Sequence, residues 1–302
     1  MDISELTQNQ IKPKLPEGKE FFVWLTHDVD RTEKTIFHSL YYFLKEGRLN
    51  HLQSLFPGRN PYWNFQHIMD LESRYNARST FFFLSESVKA DFKNPKSFVL
   101  AWGRYNIDSP QIKSVIRELD SAGWEVGVHG SYNSYNDREL LLSEKNRLED
   151  ILGHEACSVR QHYWNNLIPD TWQLQKQVGF RFDATVVNKN NVGFYENVYY
   201  PFKPFGDDFI VIPTVVMDAY LADKAKGNLV RGKGLIDEIM ALCSQKKTVM
   251  NVLWHQRFLN RQEFPLLYDL YVYILEAAVA SKGAFILPYN RICERTLAEQ
   301  IE

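Results

Sequence analysis

The stretch Phe21-Phe22-Val23-Trp24-Leu25-Thr26-His27-Asp28-Val29-Asp30 decides how the rest of the chain is read. Its continuous apolar run predicts a buried strand, and His27, Asp28 and Asp30 fall where that strand should end. Side chains alternate along a strand, so Asp28 and Asp30 are expected on one side if the strand continues through them. Two carboxylates that close repel each other unless a cation joins them or one takes up a proton, which suggests a metal site. Aspartate is also common in solvated turns at strand ends, and on Asp-x-Asp alone that plainer reading is the better one.

Two further segments repeat the pattern. Gly123 to Asn133 reads as a helix end, a short apolar strand and then His129 followed by Gly130, while Val249 to His255 is another apolar strand with an imidazole at its tip. One such histidine alone is more often a hydrogen-bonded structural residue than a ligand. Three polar strand tips, however, point to one shared face, because barrels of alternating strands and helices collect their chemistry at the C-terminal ends of the strands.

The intervening sequence supplies the alternation. Apolar strands are expected at 79–84, 157–160, 179–183, 209–213 and 284–287, and helices at 65–75, 110–122, 137–152, 169–178, 234–245 and 265–281. Ser109-Pro110 is a helix start, and Gly123 and Gly153 are helix ends. Ile36, Leu40, Tyr41 and Leu44 recur at helical spacing within an insertion at about 31–62, expected on the active-site face. The fold expected is a single α/β domain, a parallel (β/α) barrel over 21–302, preceded by a polar tail at 1–20.

Length and composition agree with one enzyme domain. The chain has 302 residues, 45% of them hydrophobic and 14% aromatic, and a formal net charge of -2, which gives no long-range attraction to nucleic acid. Cys157, Cys243 and Cys293 are widely separated and form no Cys-x-x-Cys pair, so buried reduced thiols are expected rather than disulfides or a thiolate zinc site. The first twenty residues lack the apolar core of a secretory signal, and no run reaches the roughly 18 apolar residues that span a bilayer. A cytoplasmic location is expected.

Five ordered segments carry a resemblance: Thr26-His27-Asp28-Val29-Asp30, His129-Gly130-Ser131-Tyr132-Asn133, Arg160-Gln161-His162-Tyr163, Asp183-Ala184-Thr185 and Leu253-Trp254-His255. With Asn60-Pro61-Tyr62 and Ser79-Thr80-Phe81-Phe82-Phe83 between them, the chain from about 20 to 290 resembles the polysaccharide deacetylase family, which shares the NodB homology domain. It is most similar to the branch whose first motif reads His-Asp-Val-Asp. The resemblance implies a distorted parallel barrel that hydrolyses N-acetyl, sometimes O-acetyl, groups on sugars with one divalent metal, usually zinc. It implies that Asp28 is the general base, Asp30 a metal ligand and His129 the first ligand histidine. It also implies that Arg160 orients the base and that His255 is the acid protonating the leaving amine.

The chain departs from the family where a second ligand histidine is usual, since that position holds Asn133. Zinc ordinarily takes three protein ligands, so a substitute is required or no tight metal exists. His162 is a candidate, with a pocket wall or a buried structural imidazole as its alternatives. An Asn133 carbonyl oxygen is another, and it suits a harder cation. Tyr132, Tyr163 and Asp218 are candidate substrate contacts, although Asp218 reads equally well as a helix-start cap. Tyr62, Trp63, Trp102 and Trp164 offer further flat faces to a sugar ring or pack within loops. Two rival functions stay open: a catalytically silent carbohydrate-binding protein that has lost its metal, and a hydrolase of a non-sugar amide.

Overall fold

The computed structural model describes residues 7–286 apart from 57, 90, 92 and 197. Along these, the elements run β1 (Phe21–Val29), α1 (Ile36–Glu46), α2 (Phe65–Arg74), β2 (Thr80–Leu84), α3 (Pro95–Ala101), α4 (Pro110–Ser121), β3 (Glu125–Gly130), α5 (Arg138–Leu152), β4 (Ser158–Gln161), α6 (Asp170–Gln177), β5 (Phe182–Asp183), β6 (Ile210–Val211), β7 (Thr214–Met217), α7 (Asp218–Ala225), α8 (Leu229–Lys246), β8 (Val249–Leu253), α9 (Pro265–Ala280) and β9 (Ala284–Ile286). Leu287, the last residue of the strand expected at 284–287, and Cys293 lie outside the described residues, while Cys157 and Cys243 are buried free thiols.

The strands form one sheet in the order β6-β5-β4-β3-β2-β1-β8-β7, every ladder parallel, with β9 pairing the first three residues of β1. This is the expected parallel barrel, curled and distorted. Among the described residues no ladder joins β6 to β7; β7 instead meets the segment after β5 through a parallel bridge between Val187 and Thr214.

Period-two alternation in β1 separates two cores. Phe22 and Trp24 join Phe82, Phe182, Ala184, Ile210 and Ile212 in one cluster inside the barrel, while Phe21, Val23, Leu25 and Val29 belong to the larger core beneath the helices. The same alternation parts the first motif. His27 turns toward the helices, where its Nε2 meets Glu72 Oε1 at 2.8 Å beside Tyr271, and Asp28 turns inward. His27 is therefore a buried structural histidine.

Helix signals in the sequence act as read. Ser109 Oγ accepts from the Ile112 amide at the start of α4, and Asp137 does the same from Leu140 at the start of α5, which ends at Gly153 with φ of 79°. Helix α8 starts at Leu229, five residues before the expected start at Gly234, because Asn228 caps it and Gly232 is retained where a Cβ would fall 2.7 Å from Leu270 Cδ2 of α9. In the insertion, α1 forms but turns its apolar stripe outward: Ile36, Phe37, Leu40, Tyr41 and Leu44 are all exposed, whereas Ser39 is buried. From residue 10 the tail is tied to the barrel through Ile11, whose amide donates to Pro201 O at 2.7 Å. No described helix is long and apolar enough to cross a membrane.

Candidate active site

Register brings the polar strand tips together. His129 lies beside Leu84 of β2 and Arg160 of β4, and Thr26 of β1 lies beside Leu253 of β8, so Asp28, Asp30, His129, Arg160 and His255 surround one mouth. The chain after β4 turns sharply, with Tyr163 and Trp164 both at φ of 57°, a left-handed conformation unusual for large side chains, and this turn places His162 beside His129.

Three donor atoms converge. His129 Nε2 and His162 Nδ1 are 3.0 Å apart, and Asp30 Oδ1 lies 3.3 Å from the first and 3.4 Å from the second. Ligands bound at about 2.0–2.1 Å around a tetrahedral ion are themselves about 3.3–3.4 Å apart. Asp30 Oδ1 is buried and accepts no hydrogen bond, which is the orphaned acceptor that a cation would satisfy. Two imidazole nitrogens and a carboxylate oxygen also suit zinc or a similar divalent ion. The residues thus fit such a metal.

The surrounding contacts orient this set. His129 Nδ1–H donates to Arg160 O at 2.8 Å, leaving Nε2 as a lone pair toward Asp30. His162 is held differently. Arg104 Nη2, which can only donate, lies 2.9 Å from His162 Nε2, so this contact puts the His162 proton on Nδ1. To offer Nδ1 to a cation, the ring must move its proton to Nε2 and Arg104 must draw back. Arg257 Nη1 donates to Asp30 Oδ2 at 2.6 Å, and Arg160 Nη1 to Asp28 Oδ1 at 2.8 Å.

Electrostatics follow from these neighbours. Burial by itself would raise the Asp28 carboxyl, but His129, Arg160 and His255 outweigh it and hold it below the usual carboxylate range. Burial likewise opposes ionisation of Asp30, yet the Arg257 guanidinium above all keeps it well below that range. Burial pushes His162 well down, so its ring is neutral, whereas the carboxylates of Asp28 and Asp30 overcome burial and raise His129.

The other expected residues fall in different places. Asn133 is exposed and outside the cavity, so the structure does not bring its carbonyl oxygen to the metal position. Asp218, expected at the pocket or as a cap, opens α7 and is fully buried behind His255, accepting from its backbone N–H at 2.5 Å and from Nδ1–H at 2.8 Å. It supports the imidazole and does not line the cavity. Tyr163 and Trp164 do line it, a space of about 460 Å³ also walled by Asp28, Asp30, Arg31, His129, His162, Lys189, Tyr220, His255 and Arg257. Tyr132 packs edge-on against Tyr163, and Tyr62 is buried. Trp63 faces a separate groove and Trp102 meets Phe37 edge-to-face. The sequence reading missed Arg31, Arg104, Lys189 and Arg257. Arg257, two residues past His255, carried a positional signal, whereas Arg104 sits in a connection with none.

No family model matches the chain, and no curated protein matches it. Solved structures do. One, described as a polysaccharide deacetylase from Mycobacterium smegmatis, is 14% identical with a TM-score of 0.63 and covers 97% of this chain and 95% of its own. A second, likewise described as a polysaccharide deacetylase, from Pseudomonas aeruginosa PAO1, is 14% identical with a TM-score of 0.61 over 95% and 94%. The Puue allantoinase is 15% identical with a TM-score of 0.61 over 99% and 96%. Across nearly its whole length the chain therefore has the distorted barrel fold of the NodB-type polysaccharide deacetylases.

Proposed function

We propose that this chain is a metal-dependent hydrolase that removes an acetyl group from the nitrogen of a sugar or sugar conjugate. The observation that carries the reading is the convergence of Asp30, His129 and His162 on one point, with Asp30 Oδ1 left without a hydrogen bond, beside an arginine-held Asp28. A bound divalent ion, zinc being the one the donor set favours, supplies polarisation of the acyl carbonyl and lowers the pKa of water.

The chain's own groups do the rest. Asp28, kept ionised by Arg160, accepts the proton of the attacking water. Arg160 is itself fixed, since its Nε donates to Ala184 O at 3.0 Å and its face lies 4.6 Å from the Phe82 ring. His255 returns a proton to the leaving nitrogen from Nε2, while Asp218 holds Nδ1–H and stabilises the imidazolium. Tyr163 and Trp164 offer apolar faces beside these groups, as sugar rings require.

A non-sugar amide is the second reading, favoured by the allantoinase structure matching as well as a deacetylase does, both at a TM-score of 0.61. His162, 3.0 Å from His129, supports the enzyme over the silent binder, because it offers a nitrogen where Asn133 replaces the usual second histidine. Acetate release from N-acetylated sugars, set against hydrolysis of non-sugar amides, tests the proposal. Asp28→Asn is expected to lower turnover by about 10³-fold or more while metal content persists, and Asp30→Ala to empty the site. Full activity in either variant contradicts these roles.

A further inference from the structure

Next to the active-site cavity lies a larger groove of about 720 Å³, within the range of small-molecule sites. The two share no lining residue, yet one stretch of chain serves both: His255, Arg257 and Phe258 line the cavity, and Leu259 to Gln262 line the groove. Trp63, which the hydrolytic site does not use, is 40% exposed here, its ring braced edge-on by buried Phe65 at 5.3 Å. The His67 and Tyr268 rings stack at 5.6 Å and 26° and form a second flat surface. Burial and then Arg74 hold the His67 imidazole below its ordinary range, so that ring is neutral near pH 7.

The walls are fixed. Asn260 Nδ2 donates to Pro61 O at 3.2 Å, its Oδ1 accepts from the Gln262 and Glu263 amides, and Arg48 and Asn50 both donate to Gln262 O. A groove held in this way loses little freedom when a ligand enters. Its polar groups, by contrast, are uncommitted. Among the described residues the Trp63 indole N–H, the Tyr268 hydroxyl and the Gln262 side-chain amide take part in no hydrogen bond, and Gln66 uses only Nε2, toward Asp70. Asn64 donates from Nδ2 to Gln256 O at 2.7 Å, while its Oδ1 is buried and accepts nothing, and no side chain caps the first amides of α2.

Among the described residues no carboxylate lines the groove, and Arg261, its one charged lining residue, gives Nε to Asp269 Oδ1 at 2.9 Å. Flat rings beside free neutral donors and acceptors match a specific ligand chemistry. A pyranose lays a face of C–H groups on an aromatic ring, surrounds it with hydroxyls that both donate and accept, and carries no charge. We propose that this groove is a second carbohydrate site, holding neutral hexose units of a glycan chain on Trp63 and on the His67–Tyr268 pair. The site stands apart from the amide-hydrolase reading and requires neither metal nor turnover.

Isothermal titration calorimetry of metal-stripped protein with cellohexaose, laminarihexaose, maltohexaose and mannohexaose tests this. None of these probes carries an acyl group, so the chemistry of the cavity plays no part. At least one is expected to bind, and free glucose far more weakly. Trp63→Ala is expected to weaken that binding about 10-fold and Gln262→Ala by a smaller factor, with the melting temperature of both variants retained because both side chains are exposed. No binding of any hexasaccharide overturns the proposal. So does binding weakened by Tyr163→Ala but not by Trp63→Ala, which puts the glycan in the cavity, or displacement of the glycan by inorganic phosphate, which marks an anion site. Failure to release acetate from N-acetylated sugars bears on the hydrolase reading alone.

Discussion

Asp30 has its two oxygens in different service, Oδ2 paired with Arg257 and Oδ1 aimed at two histidine nitrogens without a hydrogen bond. An acceptor so buried is costly to leave unmet, by about 1–3 kcal/mol or more for a charged group, and a cation at the histidines is what meets it. The weak point of that arrangement is His162, whose outer nitrogen faces the donors of Arg104. Arg104→Gln replaces a donor with an amide oxygen able to accept from Nε2–H, so metal affinity is expected to rise by roughly 10-fold. Metal titration by competition with a chelator checks this, and weaker binding in the variant contradicts the account of His162. At this scale Asp28, Asp30, His129 and His255 were legible because each lies at the end of an apolar run. His162 was legible as a candidate but not as a neighbour of His129, since only the left-handed turn at Tyr163 and Trp164 brings them together. Arg31 and Arg104 gave no signal, because their place depends on connections whose path no periodicity encodes.

The strands set the site by register, and glycines in β3 make the register possible. A Cβ on Gly127 would lie 2.5 Å from Ser158 Oγ and 2.8 Å from Phe82 Cδ1, both inside the barrel beneath Asp28 and Arg160. Gly127→Ala is therefore expected to cost about 1–3 kcal/mol by overcrowding, measured as a shift of the denaturation midpoint at unchanged slope. No loss of stability would show that β2 and β4 yield more easily than this packing implies. The longer elements were legible, among them β1, β8, α4, α5 and α9, since their caps and apolar periods agree. Short ones were not: β7 starts at Thr214, directly after the strand expected to end at 213, and passed unread, as did α3, while α7 was signalled only by the alternative reading of Asp218 as a helix-start cap. The apolar spacing of α1 correctly marked a helix, yet it could not tell which way the stripe faces, because Ser39 and His51 on the inner side decide that by contact.

At the scale of the molecule, burial raises several carboxyls, Asp183, Glu263 and Glu144 among them. Glu144, buried on α5 near Ser131, is pushed by burial up to about 7 despite hydrogen bonds from Ser131 and Ser134. Its proton is thus held more tightly in the folded than in the unfolded chain, whose glutamate titrates near 4.5. The contribution of Glu144 to stability is expected to fall as pH rises from that value through about 7, by up to roughly 3 kcal/mol above it. Glu144→Gln should raise the melting temperature at pH 8 and leave it nearly unchanged at pH 4; equal shifts at both values would refute the assignment. At this scale the parallel barrel was legible from the alternation of elements, while the opening between β6 and β7 was hidden in a segment lacking a clear period. The most direct test of the whole account is a crystal structure of protein loaded with one equivalent of zinc, with anomalous diffraction recorded on both sides of the zinc edge. A single peak within bonding distance of Asp30, His129 and His162, absent from His129→Ala crystals, is the result expected. A peak elsewhere, or none with the three side chains in place, contradicts it.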